Sequence, residues 1–312
     1  LGTNFPGNGK YLPPDGGHYL LAEAIPYLQS AHLTFGNMEG AISDDAPLEK
    51  RCKDTTKCYA FRMPTRYADH LAEAGFDVLS LANNHAWDFG IEGVTDAATT
   101  LDRLGIAYAG PQHFPWDTLT RYGVKVGFVA FAPNKGCMHI LDRKKAVATV
   151  THLDSISDIV IVSFHGGAEG KDHQHVTGES EFYYGENRGN VQAFAKAMID
   201  AGADVVFGHG PHVVRAVEVY QDRFIAYSLG NFATYARFNL TGVNGYAPAV
   251  KVYTDLEGQF LEAEVISLLQ RGEGGPKKDA NQLAFKKIAE LTQSDIKNHG
   301  LGFEDGWIRK RK

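Results

Sequence analysis

The sequence predicts a single layered α/β domain in which helices cover the faces of sheets. Strand and helix signals alternate from residue 31 to residue 207, and a strand-rich stretch comes after them. No break in composition marks a linker between two domains. Of the 312 residues, 44% are hydrophobic, enough to build a sizeable core.

In chain order, Leu20, Leu21, Ala24, Ile25 and Leu28 recur at helical spacing over residues 18–29, with Pro26 interrupting the pattern. Residues 31–35 read as a short strand ending in Gly36-Asn37-Met38-Glu39-Gly40, and a polar excursion occupies 44–58. A helix over 65–75 stops at glycine. The run 76–82 is a buried strand that ends in Asn83-Asn84-His85. A second glycine-stopped helix covers 92–105, and 106–109 and 124–131 are strands. The grammar then repeats. A near-continuous apolar strand over 158–164 ends in His165-Gly166-Gly167, a helix spans 190–202, and a strand over 204–207 ends in Gly208-His209-Gly210-Pro211-His212. Residues 213–220, 224–229, 250–255 and 261–266 read as consecutive strands, with Gln221-Asp222-Arg223 as a hairpin turn. A Gly/Lys-rich loop over 271–278 leads to a helix over 280–294 and the basic end Arg309-Lys310-Arg311-Lys312, read as solvated.

The charge balance narrows the function classes. Thirty-one Lys and Arg against 37 Asp and Glu leave a net charge of −6, which speaks against a nucleic-acid binder. No run of about 18 apolar residues is present to span a membrane. The chain begins at Leu1 without Met or a signal peptide, so it reads as a mature or trimmed product with sequence upstream.

The informative pattern lies at the ends of the apolar strands. In α/β sheets, ligands sit beyond the carboxyl ends of strands. Four strand ends here deliver Asn37 and Glu39, Asn84 and His85, His165, and His209 and His212, each beside glycine or another small residue. A carboxylate, an amide oxygen and several imidazoles suit one or two divalent ions of the Mn, Fe or Zn type. Two such ions would polarise a phosphoryl or carbonyl oxygen and activate water.

The ordered motifs Gly36-Asn37-Met38-Glu39-Gly40, Leu81 to Asp88, Ser163-Phe164-His165-Gly166, Asp200 to His212 and Tyr227-Ser228-Leu229-Gly230-Asn231-Phe232 resemble those of CapA-type poly-γ-glutamate capsule proteins. The domain of that family is similar to calcineurin-like metallophosphoesterases, which implies a four-layer β-sandwich flanked by helices. On this reading residues 1–270 form the family domain without its first strand, and 271–312 pack on it as loop, helix and basic tail. Position by position, the resemblance makes Glu39, Asn84, His165, His209 and His212 metal ligands. His85 becomes the catalytic histidine that protonates the leaving group or steadies the transition state. Two residues separate His209 from His212 where the family has one, so His212 reaches a different metal position or none. The family's opening Gly-Asp would lie ahead of Leu1, and no Asp-x-His stands in residues 1–9.

The remaining candidates are weaker signals. Asn37, Arg215 and Asn231 are read as substrate-binding. Arg215 alternatively makes a surface ion pair, and Asn231 alternatively satisfies a turn. The stretch 169–188, just after His165, reads as a lid or specificity loop. Cys52 and Cys58 bracket a polar loop and read as a small disulfide, with Cys137 a buried thiol. The disulfide and the resemblance together predict an extracytoplasmic protein anchored by a segment upstream of Leu1. The resemblance implies action on a phosphoester or on an anionic polymer such as poly-γ-glutamate, with membrane-bound synthase or exporter subunits as partners. The alternative is a non-catalytic polymer-binding partner that keeps the fold.

Overall fold

Two layers of sheet face each other across an apolar core, and helices cover both outer faces. The structure, a computed structural model, describes residues 11–51, 59–235, 238–273 and 275–311. The predicted Cys52–Cys58 disulfide lies outside these residues.

Short helices α1 (Tyr19–Ala22) and α2 (Ile25–Leu28) lead into β1 (Phe35–Asn37), β2 (Ala41–Ile42) and β3 (Arg62–Met63). Next come α3 (Asp69–Glu73), β4 (Val78–Ser80), α4 (Gly90–Leu104), β5 (Ala107–Ala109), β6 (Trp116–Arg121), β7 (Val124–Phe131), α5 (Arg143–Asp154) and β8 (Ile159–His165). The hairpin of β9 (Glu181–Tyr183) and β10 (Glu186–Gly189) precedes α6 (Val191–Asp200), β11 (Val205–His209), β12 (Val217–Tyr220) and β13 (Arg223–Ala226). The chain ends with β14 (Ala249–Thr254), β15 (Phe260–Ile266), the short pair β16 (Leu268–Leu269) and β17 (Lys277–Lys278), α7 (Leu283–Asp295), β18 (Leu301–Glu304) and β19 (Trp307–Lys310).

The larger sheet runs β12-β13-β11-β8-β7-β6, parallel in its middle four strands and antiparallel at both edges. Opposite it lie the parallel sheet β1-β4-β5 and the antiparallel sheet β14-β15-β19-β18. Val78, Phe128, Ile161, Phe207, Phe224 and Val265 meet in the central core. The alternate residues of the large sheet, such as Val129, Val162 and Val206, pack on α5 and α6. The other face of the small parallel sheet packs on α3 and α4 through Leu71, Leu79, Ala97 and Leu101. The period-two alternation of these strands places apolar side chains on both faces, as a sheet covered on each side requires. The result is the helix–sheet–sheet–helix order of a four-layer α/β fold.

Several elements differ from the sequence reading. The helix expected over 18–29 is two short ones, with Pro26 in the first turn of the second, where its missing N–H is harmless. Strand β6 and helix α5 were not predicted. The first is a half-buried edge strand and the second opens on Arg143-Lys144-Lys145, so neither shows a clean apolar period. The basic end is strand rather than solvated tail. Trp307–Lys310 pairs with β15, Arg309 Nε donates to Glu262 at 2.7 Å, and Lys310 Nζ meets Asp222 at 2.5 Å. The predicted hairpin turn is present, with Gln221 and Asp222 both in the left-handed region that a two-residue hairpin favours.

Strands β1 and β14 are each the edge of their own sheet, and both line a groove of about 460 Å³. Val126, Ile161 and Phe207 of the large sheet also line it, and it reaches Asn37, Glu39, His209 and Asn231. Among the described residues, no helix is long and apolar enough to cross a membrane.

Candidate functional site

The parallel pairing of β1 with β4 and of β8 with β11 puts the motif loops on the carboxyl ends of the strands. His165 and His209 are register partners on adjacent strands, so they sit side by side by construction. Asn37 ends β1, and its neighbour Ser80 ends β4, so the Glu39 and His85 loops leave the small sheet together. Gly210 permits the sharp exit after His209. Its φ is +117°, and a Cβ there would lie 2.7 Å from the Gly166 carbonyl oxygen.

What distinguishes this region is a set of buried polar atoms without hydrogen-bond partners. Asn37 Oδ1, Glu39 Oε1, Asn84 Oδ1, both ring nitrogens of His165 and Nε2 of His209 are all in this condition. Buried polar groups in folded proteins are nearly always satisfied, so such a concentration at strand ends calls for a missing partner. Every one of these residues offers a lone pair to a cation. Burial pushes the His165 pKa down to about 3 against the opposing pull of Glu39. Burial likewise lowers that of His209 to about 4. Both rings are therefore neutral at pH 7, the state in which imidazole ligates a metal.

His212 behaves differently. Burial acts to lower its pKa, but the charge and contact of Glu39, with help from Glu169 and Asn231, raise it to about 9. Its Nε2 lies 3.4 Å from Glu39 Oε1 as an ion pair. Nδ1 donates to Asn231 Oδ1 at 2.9 Å, and the Asn231 amide nitrogen donates to the carbonyls of His212 and Asn244. Burial opposes ionisation of Glu39, yet the His212 imidazolium holds its pKa well below the usual carboxylate range. In this arrangement His212 is the counter-ion of Glu39. The Asn231 amide holds His212 and the local turn, the alternative that the sequence offered for it.

His85 is 5% exposed and sits in a built frame. Its Nδ1 donates to Asp88 Oδ2 at 2.6 Å, and its backbone N–H donates to Asn83 Oδ1 at 3.0 Å. Asn83 in turn donates to the Met38 carbonyl at 2.8 Å, tying this loop to that of Glu39. Asp88 also accepts from the Phe61 backbone at 2.9 Å and pairs with Lys50 at 2.8 Å. Phe61 lies against the His85 ring, with centroids 3.9 Å apart. Asp88, Asn83 and Lys50 were missed from sequence. The three-residue step from His85 to Asp88 was the available signal, since it places two side chains on one side of a helical turn.

Arg215 is a correction. It is fully buried, donates through Nη1 and Nη2 to both oxygens of Glu181 at 2.8 and 2.7 Å, and gives its remaining bonds to the carbonyls of His173 and Ala168. It does not reach the surface, so the ion pair expected there is a buried one. It pins the stretch 169–188 through the β9–β10 hairpin, whose Phe182 and Tyr184 are exposed. Arg188 secures the far end by ion pairs with Glu169 and Glu186.

The chain can be placed by comparison. A family model described as "Bacterial capsule synthesis protein PGA_cap" matches residues 8–236. The chain belongs to this bacterial capsule synthesis family. It is 28% identical over 236 residues to the capsule biosynthesis protein CapA of Bacillus anthracis, covering 70% of this chain and 54% of that protein. It is 29% identical over 223 residues to the PGA biosynthesis protein CapA of Bacillus subtilis, covering 66% and 54%. The chain thus spans about half the length of these curated relatives. Among solved structures, a hypothetical protein from Thermus thermophilus aligns at 17% identity and a TM-score of 0.43, covering 84% of this chain and 91% of that one. A 5′-nucleotidase precursor from the same organism aligns at 12% and 0.41, covering 73% and 44%.

The donor set of this capsule-family chain fits a divalent ion chemically: a carboxylate ion-paired with His212, two unpartnered amide oxygens and two neutral imidazoles. The ligand atoms of Glu39, His165 and His209 are not, however, all within 4.8 Å of one another. Among the described residues, the His/Cys/Asp/Glu group that meets this distance is His18, His70 and Glu73.

Proposed function

We propose that this chain is the hydrolase-like part of a capsule or polyglutamate synthesis protein, acting outside the cytoplasm on a phosphoester or an anionic polymer. The observation that supports this most is the concentration of unpartnered lone pairs on Asn84, His165 and His209, with the Glu39 carboxylate among them, beside a fully framed His85. Those four residues would hold one or two divalent ions, and His212 would release Glu39 to them. When bound, such an ion supplies Lewis-acid polarisation of a phosphoryl or carbonyl oxygen and lowers the pKa of water.

The rest is done by this chain's own groups. Asp88 accepts the Nδ1–H of His85 and so orients the ring, and a second proton carried on Nε2 would pass to the leaving group. Asn37 would orient the substrate, and the β9–β10 hairpin would select it. The groove between β1 and β14 is the seat for the strand that the family resemblance implies ahead of Leu1, with its carboxylate delivered beside Glu39. An anchor in that upstream segment would keep the chain at the membrane with synthase or exporter subunits.

A second reading has a specific observation behind it. The Glu39–His212 ion pair occupies the carboxylate that a metal needs, as it would in a polymer-binding partner without catalysis. Turnover of a generic phosphodiester with Mn²⁺ present separates the two. The hydrolase reading predicts activity that falls about 10²–10⁴-fold in His85→Ala. Poly-γ-glutamate binding without turnover, unchanged in His85→Ala, would establish the partner reading instead.

A further inference from the structure

A second cluster of ligating side chains lies away from the strand ends and shares no residue with them. Residues Pro14–Gly17 turn tightly, with Asp15, Gly16 and Gly17 all in the left-handed region at φ of 52°, 70° and 78°. This turn lays His18 against His70 of α3, with ring centroids 4.4 Å apart at 66°. One turn further along the same helix, Glu73 Oε2 lies 3.0 Å from His70 Nδ1. One ligand atom from each of His18, His70 and Glu73 lies within 4.8 Å of the other two.

The hydrogen bonds of His70 give this grouping its meaning. Its Nε2 lies 2.7 Å from the Gly16 carbonyl oxygen, which can only accept, so Nε2 carries the hydrogen. Its Nδ1 faces the Glu73 carboxylate at 3.0 Å, and an ion taken between them would displace any proton shared there. A ring whose far N–H is held by a backbone carbonyl is the usual setting of a metal-ligating histidine, because the carbonyl fixes both tautomer and orientation.

We propose that His18, His70 and Glu73 bind a zinc-type divalent ion, with Nδ1 of His70, a ring nitrogen of His18 and the Glu73 carboxylate as ligands and water in the fourth position. Two imidazoles and one carboxylate form a zinc set. Tetrahedral bonds of about 2.1 Å place ligands about 3.4 Å apart. His18 and Glu73 are exposed and free to rotate that far, while His70, less exposed and stacked on Tyr67, is the fixed member. The ion would clamp the 14–18 turn onto α3. It acts structurally and does not depend on the strand-end chemistry.

Zinc titration of the full chain against a chromogenic chelator tests this, with Co²⁺ absorption as the probe of geometry. His18→Ala and Glu73→Gln change exposed side chains, so folding can be confirmed by circular dichroism. The expected result is that each variant loses one equivalent of micromolar zinc, or binds it at least about tenfold more weakly. Each should also lose the tetrahedral Co²⁺ bands assigned to that site. His165→Ala, which disrupts the strand-end cluster, should retain both signals. Unchanged stoichiometry in His18→Ala and Glu73→Gln, or zinc held there only at millimolar concentration, would overturn the proposal.

Discussion

At the scale of single residues, the strand-end chemistry depends on which proton sits where. His212 is raised to about 9 while His165 and His209 are lowered to about 3 and 4, against an unfolded value of about 6.5. A raised histidine contributes stability that is complete below about pH 6.5 and lost as the pH climbs through about 9. Depressed histidines contribute stability present above about pH 6.5 and lost as the pH falls toward 4 and 3. Metal-free protein should therefore melt highest near neutrality and lose stability on both sides. His212→Gln should flatten the alkaline limb, which thermal melts between about pH 6 and 9.5 would show. Arg215 makes a different prediction. Removing one partner of a buried ion pair leaves an uncompensated charge, so Arg215→Ala should cost about 3–5 kcal/mol in denaturant unfolding, whatever happens to metal binding. Cys137 is buried, and burial pushes its thiol pKa up to about 12. Alkylation mapping at about pH 8 should leave Cys137 unmodified in the native chain and modified in urea.

At the scale of elements, the legible part of the site was the part written locally. Apolar runs closed by Asn-His or Gly-His placed Glu39, Asn84, His85, His165 and His209 at strand ends, because strand period and glycine exits are nearest-neighbour properties. What the sequence could not display were the partners brought in from elsewhere. Arg215 was read as a surface or substrate-facing group because Glu181 reaches it only through a hairpin 34 residues away. Asn231 and His212 are joined by loop packing, and Lys50 reaches Asp88 across the polar excursion. Edge strand β6 and helix α5 escaped because one has a single covered face and the other a charged first turn. The glycine exits carry their own test. Gly210 holds φ +117° against the Gly166 backbone, so Gly210→Ala should destabilise the fold by more than about 1 kcal/mol. It should also weaken metal binding by shifting His209 against His165, a loss that calorimetric titration would record.

At the scale of the whole molecule, four layers and one groove account for where the site lies. The parallel strands of both sheets end on one side, so residues far apart in sequence meet there without any dedicated scaffold. The edges of β1 and β14 flank the groove of about 460 Å³ that opens on the same atoms. Elemental analysis after equilibrium dialysis against Mn²⁺ asks straight away whether the unpartnered atoms at the strand ends are a divalent-metal site. His18→Ala protein, which removes the peripheral cluster, is the form to use. One to two bound equivalents are expected, and they should be lost when His165→Ala is added. Protein that binds no metal under these conditions, or binds it equally well with His165→Ala, would refute the metal site.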